Sequence, residues 1–266
     1  MSFIEAIILG IIQGLTEFLP VSSSGHIEIG KVLLGVKVKD NLIFSVVVHG
    51  ATSLSTIIIF RKEIGEILMG LMKFKFNAET QYALKILISM VPVFIFYKLF
   101  NDQIEALFNG QLLLVGAMLI VTALLLAFTY FKKAGTKEVG YLDSLVIGVA
   151  QAIAILPGIS RSGATISTSL LLGVDKEKST KFSFLMVLAP IIGGNILELK
   201  DYLEIPASSE SISPLALFVG FLAAFLSGLF ACTLMIKIVK KGKLIYFAYY
   251  CLLVGGITIA YSLLNG

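Results

Sequence analysis

The chain has 266 residues, of which 57% are hydrophobic and only 14% charged, with a mean hydropathy of +0.95. Soluble domains carry about 25% charged residues, so a water-soluble globular protein is excluded and an integral membrane protein is indicated. The formal net charge of +4, scattered along the chain, gives no basis for a nucleic-acid partner.

The opening MSFIEAIILG has no basic region and carries Glu5, so it does not read as a cleaved signal peptide. Residues 3–19 are apolar but run into Pro20 and the cluster Ser22-Ser23-Ser24-Gly25, after which a shorter amphipathic piece covers 23–36. Apolar runs at 41–60, 81–100 and 111–131 follow, each near the roughly 20 residues that cross a ~30 Å hydrocarbon core. The interrupted pattern then returns: 141–156 is apolar, meets Pro157 and a second Ser/Gly cluster, and gives way to 161–173. Three more spans, 181–199, 214–236 and 244–264, complete the chain. Cys232 and Cys251 lie inside apolar runs and read as packing residues.

Proline disfavours helical backbone in the residue before it, and Gly and Ser permit a tight reversal. Each interrupted segment therefore reads as a re-entrant hairpin of two half-helices with its polar tip near mid-membrane. Irregular backbone survives at that depth only where protein or a wet cavity surrounds it. The predicted fold is an all-α polytopic membrane protein with six transmembrane helices and two re-entrant helical hairpins.

Loop charges agree with this count. With the hairpins re-entrant, one face collects Arg61, Lys62, Lys73 and Lys75, then Lys132, Lys133 and Lys137, then Lys176, Lys178 and Lys181, then Lys237, Lys240, Lys241 and Lys243. The opposite face receives only Lys31, Lys37, Lys39, Lys98 and Lys200. By the positive-inside rule the basic face is cytoplasmic and both termini lie outside.

The two hairpins are copies. Placing Gly25 on Gly163 aligns residues 10–45 with 148–183 without a gap, and eleven of those 36 positions are identical, among them Gln13/Gln151, Ser22/Ser160 and Ser24/Ser162. Three spans separate the copies, and an odd number inverts the second. The chain is thus one membrane domain, 1–266, built from an inverted-topology repeat of about 1–131 and 141–266. Such repeats bring broken helices together at the midplane around a charged substrate.

The tips carry the chemistry. Arg161 sits at a tip, where an unpaired cation costs roughly 2.5–3.5 kcal/mol on insertion scales. Glu17 in the other hairpin is its expected counterion, and a purely structural Arg161–Glu17 pair is the plainest reading. The guanidinium fork also suits phosphate oxygens. Ser22, Ser24 and Gly25 before one half-helix, and Ser160, Ser162, Gly163 and Thr165 around the other, put small polar residues at helix N-termini, where free N–H groups receive anions. His26 has no mate in the second copy, where Ala164 stands, and neither has Glu17. Ser23, His26 and Glu17 opposite Arg161 suffice for phosphoryl transfer. His49 reads as a packing histidine. Glu28 and Lys31 form a helix pair or line the cavity, and Gln13 and Gln151 tie backbone across the hairpins. Gly220, Ala224 and Gly228 form a row of small residues for close helix contact, within one chain or in a homodimer.

GLTEFLPVSSSGH and PGISRSGAT resemble the two signature segments of the undecaprenyl-diphosphate phosphatase, or bacitracin-resistance protein, family, and the resemblance covers essentially the whole chain. It implies a hydrolase converting a C55 polyprenyl diphosphate, among membrane lipids, to the monophosphate. That reaction recycles the lipid carrier of peptidoglycan synthesis, on which cell-wall biogenesis, cell shape and antibiotic resistance depend. It implies a plasma-membrane protein whose site opens to the outer face. Glu17, Ser23, His26 and Arg161 are its implied catalytic residues, and the tip serines, glycines and Thr165 its phosphate-binding ones. A divalent cation, Mg²⁺ or Ca²⁺, is implied at Glu17 and Gln13, although Gln13 stands where many members have glutamate. Two nucleophiles are open: Ser23 activated by His26, or water activated by His26 and Glu17. The rival class is a transporter, and flipping of a lipid phosphate is compatible with hydrolysis.

Overall fold

The computed structural model describes all residues except 35–40, 108–110, 134, 205–211 and 266. Lys37, Lys39 and the predicted end of the half-helix at 35–36 lie outside the described residues.

Among the described residues, secondary structure is helical apart from one bridge, Lys137–Val174. The first half-helix is α1 (Phe3–Phe18), opened by a capping box in which Ser2 accepts from the Glu5 N–H and Glu5 accepts from the Ser2 N–H. It stops at Leu19, which is extended ahead of Pro20. α2 (Ser23–Leu34), α3 (Asn41–Ile59) and α4 (Arg61–Leu71) follow, then α5 (Ala78–Leu107) and α6 (Leu112–Tyr130). The second broken pair is α7 (Tyr141–Ile153) and α8 (Arg161–Leu171). α9 (Lys176–Glu204), α10 (Pro214–Lys240) and α11 (Ile245–Asn265) complete the fold.

Five helices are long and apolar enough to cross a membrane (α5, α6, α9, α10 and α11), and α3 with α4 makes a sixth if that bent pair counts as one span. The five correspond to five of the predicted spans, and the predicted span 41–60 falls on α3, the first arm of the bent pair. The helices leave large side chains such as Leu87, Phe94, Leu124, Phe218, Phe230 and Leu253 exposed, as a lipid solvent requires. The sequence reading did not separate α4, which turns off α3 by 76°. Its basic start, Arg61-Lys62, and its exposed Leu68 and Met69 are what a helix lying along a membrane surface carries.

The row of small residues on α10 serves contact within the chain. A Cβ added at Gly10 of α1 would come within 2.5 Å of the Gly220 carbonyl oxygen, and one at Gly14 within 2.4 Å of the Ala224 oxygen. Gly228 closes on Ser55 and Phe18. Backbone thus meets backbone where α1 lies on α10, and Ser55 of α3 donates to the Phe225 carbonyl at 2.9 Å. This packing fixes the rotation of α1, and with it where Gln13 and Glu17 point.

Candidate functional site

The two tips share their side-chain hydrogen bonds. Ser22 Oγ accepts from the Gly25 N–H at 3.2 Å, and Ser160 Oγ accepts from the Gly163 N–H at 3.1 Å. In both copies the same hydroxyl lies 3.3 Å from the serine two residues on, Ser24 or Ser162. A serine cap followed three residues later by glycine is therefore a property of the repeat, and each cap satisfies one of the free N–H groups of the half-helix behind it.

The tips also touch. Ser162 Oγ donates to the Leu19 carbonyl at 3.3 Å, a Cβ on Gly163 would meet Pro20 at 3.3 Å, and one on Gly25 would meet the Gly158 Cα at 3.4 Å. Gly158 has φ +96°, and a side chain there would strike the Val115 carbonyl of α6 at 2.5 Å, so glycine is required. α6 supports the second tip further: Thr122 Oγ1 accepts from the Ser160 N–H at 3.0 Å.

At this crossing Arg161 Nη2 donates to Glu17 Oε1. The other carboxylate oxygen, Oε2, accepts from Ser23 Oγ at 2.7 Å and from Gln13 Nε2 at 3.0 Å. Ser23 and Arg161 are equivalent positions of the repeat, the first residues of α2 and α8, and both reach the one carboxylate. The Glu17 side chain is 6% exposed and that of Arg161 29%. Removing one member of such a pair strands the other, so each holds its neighbour in place.

A pocket with a volume of about 20 Å³ adjoins the pair, lined by Glu17, Arg161, Ser162, Thr165 and Ser183 with Thr52 and Thr56 of α3. By the measure in which one water needs about 10–15 Å³, it holds about one water while the ion pair is closed. Thr52 and Thr56 were not found from the sequence, because an apolar span does not announce which of its hydroxyls face inward. A second pocket of about 120 Å³ lies on the other side of Gln13, lined by Ser24, Glu28, Lys31, Ser45 and His49.

The structure brings Gln13, Glu17, Ser23, Arg161, Ser162 and Thr165 together, and Ser22, Ser24, Gly25, Ser160 and Gly163 form the two caps behind them. It does not bring His26 to Ser23, and the expected Ser23–His26 pairing is replaced by Ser23–Glu17. Nδ1 of His26 lies 2.8 Å from the Ser22 carbonyl, its Nε2 lies 2.8 Å from the Tyr250 hydroxyl, and its ring stacks on that of Tyr250. The His26 N–H also bonds the Ser22 carbonyl. Ser22 has φ +70°, an uncommon conformation for serine, so His26 clamps a strained turn and ties it to α11. Gln151 does not mirror Gln13: both polar atoms of its buried side chain lack a partner among the described residues. Glu28 and Lys31 are a 2.8 Å ion pair and also line the second pocket, so both readings of them hold.

These features define a multi-pass helical membrane protein with an internal charged site where two broken helices cross. Residues 6–257 match the family described as bacitracin resistance protein BacA. The relatives include an undecaprenyl-diphosphatase of Bacteroides fragilis, 54% identical over 266 residues covering all of both chains. Another, from Christiangramia forsetii, is 57% identical over 98% of this chain and 99% of its own. A third, from Carboxydothermus hydrogenoformans, is 40% identical over 96% of this chain and 95% of its own. The chain belongs to the bacitracin resistance protein BacA family.

Proposed function

We propose that this protein hydrolyses undecaprenyl diphosphate to undecaprenyl phosphate and inorganic phosphate, recycling the lipid carrier of cell-wall synthesis and so conferring bacitracin resistance. Besides family membership, one observation carries the reading: the Ser23 hydroxyl donates to a carboxylate that also holds the arginine of the opposite tip. A nucleophile, its proton acceptor and a phosphate-binding cation thus share one carboxylate.

The incoming diphosphate takes Arg161 from Glu17 by bidentate pairing, and the N–H groups at the starts of α2 and α8 receive the remaining oxygens. Ser23 Oγ attacks the terminal phosphorus as its proton passes to Glu17. The bond from that phosphorus to the bridging oxygen breaks, and undecaprenyl phosphate leaves with the electron pair. Water then attacks the phosphoserine, the bond from phosphorus to Ser23 Oγ breaks, Glu17 returns its proton to Oγ, and both protons of the water leave on the phosphate as dihydrogenphosphate. Arg161 faces the charge on the transferring group throughout. His26 acts through Ser22, as a positioning residue.

Among the described residues no three His, Cys, Asp or Glu side chains lie close enough to hold a metal alone. Glu17 with the free carbonyl oxygen of Gln13 fits a Mg²⁺ or Ca²⁺ ion that arrives on the diphosphate, since Mg²⁺ is held by one or two carboxylates plus substrate phosphates. When bound, that ion supplies further charge neutralisation on the phosphates.

Purified protein in detergent should release phosphate from C55-diphosphate with no membrane to cross, whereas a transporter releases none. Acid quenching during turnover should trap phosphate on Ser23. If Ser23→Ala keeps most of its rate, water activated by Glu17 is the nucleophile instead.

The site belongs to the outer face of the plasma membrane, which the loop charges and the half-helix order support. Single cysteines at positions 37, 102 and 204 should react with an impermeant maleimide added outside intact cells. Those at 66, 136 and 241 should react only after lysis, and the reverse pattern inverts the topology.

A further inference from the structure

The charged lining of the larger pocket is a feature of the first copy alone. The repeat offset places Glu28 on Ile166, Lys31 on Ser169, Val48 on Met186 and His49 on Val187. In the second copy Ser162, Thr165, Ser183 and Val187, the equivalents of Ser24, Ile27, Ser45 and His49, line the smaller pocket of about 20 Å³ beside the ion pair. The repeat therefore opens a cavity at the same place in each copy, about 120 Å³ in the first and about 20 Å³ in the second. Every charged or titratable group that lines the larger one is missing from copy two.

Those groups are arranged for a phosphate. Lys31 uses one ammonium donor on Glu28 at 2.8 Å and keeps two more. His49 Nδ1 lies 3.0 Å from the Ser45 carbonyl, which only accepts, so Nδ1 carries the proton. Nε2 makes no hydrogen bond among the described residues and suits phosphate in either state, accepting from a P–OH or donating to a phosphate oxygen. Ser24 and Ser45 add hydroxyls. Gln13 links this pocket to the ion pair: it lines the pocket while its amide bonds Glu17 at 3.0 Å. Glu28 opposes any anion, which makes the site weak, as a site for a departing product has to be.

Resting on the hydrolase reading above, we infer that this pocket binds the inorganic phosphate released at Ser23 and is its route out of the protein, while the prenyl product stays among the spans.

The test is product inhibition of the purified enzyme in detergent, with inorganic phosphate as the probe and the lipid diphosphate as substrate. In Lys31→Met the ratio of the phosphate Ki to the substrate KM should rise at least fivefold, and in Glu28→Gln it should fall. Opposite signs are the signature of charge, because a merely structural effect of breaking the pair shifts both variants the same way. Should Lys31→Met not fold, the tighter inhibition of Glu28→Gln carries the test. An unchanged ratio in both variants, shifts of one sign, or no inhibition of the wild type by phosphate would overturn the assignment. So would equal rises of Ki and KM in Lys31→Met, which assign the pocket to the phosphate of the lipid itself. A wild type that releases no phosphate from the lipid fails the underlying hydrolase reading instead.

Discussion

Arg161→Ala should lower phosphate release by about 10³-fold or more, the scale on which an arginine acting on a transferring phosphoryl group is felt. The same change leaves Glu17 without its counterion, and breaking a buried pair costs about 3–5 kcal/mol. Loss of fold and loss of chemistry therefore have to be separated. Replacing both partners by apolar groups of similar size is close to neutral for stability. The double variant Glu17→Met, Arg161→Met should thus melt nearer the wild type than Arg161→Ala does, yet hydrolyse nothing. Near-normal turnover in Arg161→Ala would refute a role for the guanidinium on phosphate and leave it a strut between the hairpins. Arg161→Lys should recover fold but little rate, because an ammonium lacks the planar fork.

Glu17→Gln is the second large effect. The amide keeps the size of the carboxylate but cannot take the Ser23 proton, and general-base catalysis is typically worth about 10²–10⁴-fold. Most of the loss should fall on kcat, since the phosphate-binding groups of both tips remain. Acid quenching should then find no phosphoserine. A variant that still accumulates phosphoserine at the wild-type rate would move the base elsewhere. Phosphoserine that forms normally but is not hydrolysed would confine Glu17 to the second half of the reaction.

The parts of this arrangement that follow from local rules could be read from residue order. The breaks at Pro20 and Pro157, the serine caps and the six spans depend on neighbours in sequence, and α1, α7 and the spans stop and start close to where those rules put them. The Arg161–Glu17 pair was legible for a different reason, because a cation at depth needs an anion and few are available. Side-chain direction was not legible. His26 turns toward Tyr250, 224 residues away, because α11 packs along α6 and meets the first tip there. Gln13 and Gln151 share a repeat position yet differ in surroundings, since Glu17 has no acidic mate at Ile155. The bend between α3 and α4 falls at Phe60, where the apolar run meets Arg61-Lys62-Glu63; that charge marks the end of a span but not the helix that follows it at 76°. The contact of Gly220, Ala224 and Gly228 with α1 settles what the spacing alone left open, and a homodimer would have to use another surface.

The ion pair joins residues 144 positions apart, and that distance is also a delay. At about 5–20 residues per second, translation takes roughly 7–30 s to deliver the guanidinium after the carboxylate has been made. During that interval the first hairpin has nothing to neutralise its acid. Until Arg161 arrives, Glu17 has only the Ser23 and Gln13 donors of its own hairpin to hold its charge. The order of synthesis thereby becomes part of how the site is assembled.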